Sequence, residues 1–155
     1  MIIILTTAAA DLFALDLPRV IPRRATVDRP LDAAYGTLKQ YFTDSSLSQF
    51  TPVSSDDKTH TLVATRSGIG PNDWAELAFC TTSPTQMVYN FSDGTAGVTA
   101  KLEAAGNKTF VSVSADFQGT YTLGSNSIQI ACVSKGVLED KLIGVAGGSS
   151  PTAKP

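Results

Sequence analysis

A chain of 155 residues with 43% apolar and 17% charged residues is long enough to bury one substantial core and too short to build two. Its formal net charge of −2 excludes the concentrated basic surface that binding to a phosphate backbone requires, so nucleic acid is not an expected partner. The sequence holds no stretch of about 18 consecutive apolar residues of the kind that crosses a bilayer as a helix.

Residues 1–18 show no clean period. Ile2, Ile3, Ile4 and Leu5, followed by Thr6-Thr7-Ala8-Ala9-Ala10, have the apolar run and the small residues of an export signal. No basic residue precedes the run and no cysteine follows it to receive a lipid, so the stretch is read as a signal remnant or a loosely docked segment. Residues 20–27 read as a first strand whose start is confined to an edge by Pro22. Arg19, Arg23, Arg24 and Arg29 concentrate positive charge here. They could meet an acidic partner or anionic lipid, and solvated arginines flanking a strand explain them equally well.

A helix follows. Asp28 offers a capping carboxylate and Pro30 a first-turn proline, and Leu31, Ala34, Tyr35, Leu38 and Phe42 recur at helical spacing. Residues 43–46 end it. The pattern then changes to alternation, with strands expected over 50–53 and 59–66 around a polar turn at 54–57, and a loop over 68–72. Further strands are expected over 73–81, 86–91 and 97–103, punctuated by Ser83-Pro84 and Ser92-Asp93-Gly94. Val111, Val113, Ala115 and Phe117 then alternate with Ser112, Ser114 and Asp116, the signature of a half-buried strand. Gly119 and Gly124-Ser125 bend or end it, and Ile128, Ile130 and Cys132 alternate inward on the last strand. Ser134 can cap a closing helix with Val137, Leu138, Leu142 and Val145 on its apolar stripe, stopped by Gly144 and Gly147-Gly148.

The order predicts an α+β domain over 19–146: an antiparallel sheet of six to seven strands, a helix after the first strand and a short C-terminal helix. Residues 147–155 are expected to be a disordered tail. One core is expected to contain Leu31, Tyr35, Leu38, Val111, Val113, Ala115, Phe117, Ile128 and Ile130. Cys80 and Cys132 are not spaced as a zinc motif. In an oxidising compartment they would pair, and in a cytosolic chain they would be two buried thiols. Pairing is expected on the export reading.

The stretch Thr26-Val27-Asp28-Arg29-Pro30-Leu31-Asp32-Ala33-Ala34-Tyr35, with Leu38, Tyr41-Phe42 and residues 59–65, resembles the opening of helix-grip domains. The START and pollen-allergen superfamily and the small domains of the outer-membrane assembly lipoprotein BamC share that order. Residues 47–66, 74–80 and Cys132-Val133-Ser134-Lys135-Gly136-Val137-Leu138-Glu139 are similar to small proteobacterial envelope lipoproteins of uncharacterised function. That resemblance implies a periplasmic or outer-membrane location, with attachment to the membrane through a lipid in the native form.

Among candidate sites, His60 is the sole histidine, and a general base needs an orienting partner and a nucleophile that the sequence does not name. One histidine and two oxidised cysteines cannot complete a zinc set, so no metal or other cofactor is expected. Asp56-Asp57 and Glu139-Asp140 are adjacent acids that turn chemistry and a helix end account for. Gly68-Ile69-Gly70 lacks the third glycine and the helix of a phosphate cradle. Trp74, Met87, Tyr89 and Phe91 are a candidate ligand or contact surface, with core packing as the alternative. Two functional expectations follow. The first is a monomeric, non-enzymatic envelope protein acting by contact with another protein or the cell wall. The second is a carrier of a small apolar ligand in a helix-grip cavity.

Overall fold

The computed structural model of the chain describes residues 20–80 and 88–149. In chain order the elements are β1 (Arg23–Val27), α1 (Leu31–Thr43), α2 (Ser45–Ser48), β2 (Thr51–Asp56), β3 (Thr61–Ile69), α3 (Pro71–Leu77) and β4 (Ala78–Phe79). They continue with β5 (Asn90–Ala105), β6 (Lys108–Leu123), β7 (Asn126–Ser134) and α4 (Val137–Ala146). The fold is α+β, as the pattern predicts: a seven-stranded antiparallel sheet in the order β2-β3-β5-β6-β7-β4, with β1 also on β6.

Two 16-residue strands, β5 and β6, are the spine. They are joined by Gly106-Asn107, with Ala105 opposite Lys108, and Gly124-Ser125 joins β6 to β7 in the same way, with Leu123 opposite Asn126. In both turns only the leading glycine has positive φ, 69° and 60°, the pattern of a type II′ hairpin turn that matches strand twist. Val111, Val113, Ala115 and Phe117 face Leu102, Ala100, Val98 and Ala96 on the buried side of this ribbon. Leu38 and Phe42 of α1 and Leu138, Leu142 and Val145 of α4 cover that side. The opposite side carries Thr99, Lys101, Ser112, Ser114 and Asp116, which solvent can satisfy.

The expected core residues are buried, except that Leu31 and Ile130 are partly buried against it and Ile128 stays outside it. Ile128 lies opposite Tyr121, near the β6–β7 turn. The outer edge β2 is protected from pairing with other chains by Pro52 and by a bulge between Pro52 and Ser54.

The sequence expectations are corrected at several elements. Residues 73–81 are not one strand: α3 takes 71–77, and β4 only 78–79. Pro71 at the first helical position, Asp73 in the first turn and Ala75-Glu76-Leu77 favour the helix, and Trp74 and Leu77 fall on its inward side. Ser92-Asp93-Gly94 does not separate two strands. The pairing shifts by one residue between Phe91 and Asp93, and β5 runs on through this bulge. Likewise Gly119 sits inside β6 and Gly144 inside α4.

Residues 54–56 belong to β2, and the turn is 57–60. Asp56 organises it by accepting the Lys58 and Thr59 backbone N–H groups at 2.9 and 3.3 Å. Asp28 does not cap α1, whose N-cap is Pro30; it lies 3.6 Å from Lys108. Residues 147–149 continue as an ordered turn, with Gly147 and Ser149 donating to the Ile143 and Gly144 carbonyls. The expectations for residues 1–18 and for the end of the tail lie outside the described residues.

Glycine decides where Trp74 sits. Gly94 and Gly119 are directly opposite on β5 and β6, and the indole lies over them: a Cβ at Gly94 would enter the ring, and one at Gly119 would come within 3.4 Å of it. Phe91 stacks on Trp74 at 5.3 Å and Phe117 meets it edge-on at 5.6 Å. Gly94→Ala should therefore destabilise the fold by about 1 to 3 kcal/mol through overpacking, read from urea unfolding. A change below about 0.5 kcal/mol would mean that the ring has room to move away.

Cys80 and Cys132 are joined, with Cα atoms 4.4 Å apart. The β4–β7 register, Ala78 opposite Ser134 and Phe79 opposite Val133, leads directly to this pair, so the bridge ties off the two-residue strand. Closing so long a loop contributes about 3 to 4 kcal/mol on the chain-entropy account. Thiol titration of the unreduced, unfolded chain should find no free sulfhydryl, and reduction should lower stability by about that amount. Two reactive thiols before reduction would contradict the bridge.

Candidate functional site

β6 uses one edge entirely for β5 and divides the other. β1 pairs with its residues 109–113, and β7 with residues 117–123. Neither strand is paired with Ser114, Ala115 or Asp116. β1 starts at Arg23, the residue after Pro22. At the other side β7 ends at Ser134, while Gly136, at φ 84°, turns the chain into α4. The result is a cleft of about 490 Å³ with Ala115 among its lining residues.

The lining is of two kinds. Ile21 and Val133 are apolar and exposed, at 76% and 45%, and Phe79, also exposed, is the β4 residue opposite Val133. Arg23, Arg24 and Lys135 supply positive charge. The Arg23 guanidinium lies against Gly136, where a Cβ would come within 2.8 Å of its central carbon, and its Nε is 4.0 Å from Asp140. That ion pair is exposed on both sides and contributes little. Lys135 donates its ammonium to the Ala75 carbonyl and its backbone N–H to Leu77.

Glu139 also lines the cleft, at 1% exposure. The Ser134 hydroxyl donates to its carboxylate at 2.8 Å and accepts the Gly136 N–H at 2.9 Å. This is a capping box with a hydroxyl inserted between backbone and carboxylate, and the first turn of α4 is where a negative charge is favoured. Ser134 thus serves the helix start as the sequence suggests, one step removed, because the N-cap is Gly136.

A second groove, about 290 Å³, lies between the C-terminal half of α1 and the β2–β3 pair, lined by Phe42, Pro52, Val53, Leu62 and Val63 among others. It is at the small end of the range for ligand cavities. Near the same hairpin, Asp57 accepts hydrogen bonds from the Tyr35 hydroxyl and the Lys39 ammonium, each at 2.7 Å. His60, at φ 49°, meets the Tyr35 ring edge-on at 5.1 Å, and its Nε2 is 3.9 Å from the exposed Asp32. This cluster fastens α1 to the β2–β3 turn.

The structure does not gather the candidate surface residues at the cleft. Trp74 is a core residue at 6% exposure, Phe91 is half-buried against it, Tyr89 is half-buried in a bend and Met87 lies outside the described residues. The acid pairs separate by role: Asp56 and Asp57 serve the turn, Glu139 the helix start, and Asp140 faces Arg23. Among the described residues no cluster of three or more His, Cys, Asp or Glu could hold a metal ion. The cleft was marked in sequence only by Arg23 and Arg24 beside Pro22.

Neither a protein-family model nor a curated protein sequence matches the chain. Among solved structures it is similar to a DUF4468 family protein from Bacteroides ovatus, at 11% identity and a TM-score of 0.45, over 87% of this chain and 89% of that one.

The Asp57 cluster makes stability depend on pH in a defined direction. Hydrogen bonds from Lys39 and Tyr35 hold the Asp57 carboxyl below its ordinary value of 3.8, so its contribution is complete above that value and is lost as pH falls through the lowered one. Tyr35 is pushed up to about 12, first by burial and then by the Asp57 carboxylate, so its contribution holds below pH 10 and fades as pH rises through about 12. Asp57→Asn should reduce the acid-side loss of stability seen in denaturation at successive pH values. An unchanged acid slope would remove Asp57 from the account.

Proposed function

We propose that this chain is an exported cell-envelope protein without enzymatic activity, working by contact with another protein or the cell wall. The single observation that carries the reading is the cleft between β1 and β7, whose lining keeps Ile21 and Val133 exposed beside three cations, with the exposed Phe79 of β4 opposite Val133. Apolar side chains concentrated around a concave, charged site are a feature of recognition surfaces. The Cys80–Cys132 bridge supports an oxidising compartment.

The carrier reading is favoured by the apolar groove under α1, and it is disfavoured by the packing of α4. Leu138, Leu142, Val145 and Ala146 of that helix are all in the core, where a helix-grip ligand would need space.

Two measurements test the proposal together. Photo-crosslinking residues placed at Ile21, Phe79 and Val133, and for comparison at Val53 and Thr95, should capture a macromolecule in intact cells from the first three positions. Native mass spectrometry of the purified protein should give the mass of the chain with its disulfide. An apolar molecule retained in stoichiometric amount, displaced by enlarging Val63 at the groove, would overturn the contact reading in favour of the carrier.

A further inference from the structure

We draw no further inference here: the strongest candidate, the cleft between β1 and β7 that Ala115 lines, belongs to the contact reading already given, and nothing in the structure shows what occupies it.

Discussion

The division of one strand edge between two partners governs this structure. β6 is long enough to hold β5 along its whole length and still offer its far edge first to β1 and then to β7. Because β1 comes early and β7 late in the described residues, the shared edge joins elements far apart in the chain. The Thr109 hydroxyl, fully buried, fixes the connection from β1 to α1 by donating to the Arg29 carbonyl at 2.8 Å. α4, which follows β7, then returns across β6, β1 and α1, and its apolar stripe completes the core that those elements begin.

The same division produces the cleft. Two strands that run the same way along one edge, the end of β7 toward the start of β1, meet without a gap only if those ends abut. Here β1 begins only at Arg23, and the turn at Gly136 carries β7 into a helix. What lines the opening is therefore whatever the two chain ends carry: arginines and aliphatics from one side, Val133, Ser134 and Lys135 from the other. The helix start beside it is satisfied internally through Ser134 and Glu139. That leaves the exposed groups at the rim as the ones available to a partner.

The aromatic cluster answers a different need at the other end of the ribbon. A 16-residue hairpin twists, and its distal half extends beyond the helices α1 and α4 to the short α3. Trp74 covers that half, and the paired glycines 94 and 119 let the indole lie on the backbone itself. The disulfide holds β4, directly after α3, to β7. Ring and bridge together keep a short helix and a two-residue strand on the sheet, a task that their own few hydrogen bonds are too few to accomplish.

Local pattern was enough to read the α+β class, β1, α1, the alternating face of β6 and the closing helix, because each depends on neighbours within a turn or a strand, whereas the pairing of Cys80 with Cys132 followed from there being two cysteines and from the export reading. It was not enough for α3, where seven residues with a central tryptophan look like a strand until the packing of Trp74 on two glycines is known. It also misplaced the Ser92 break, since a bulge and a turn share the same Ser-Asp-Gly composition and only the partner strand distinguishes them. Trp74 and Phe91 appeared as surface candidates because aromatic type alone does not say which side of a sheet is covered. The cleft lay beyond sequence altogether: it is defined by where β1 and β7 stop on a strand remote from both in the chain. Arg23, Arg24, Val133 and Lys135 become one site only when β6 brings the two ends of the domain side by side.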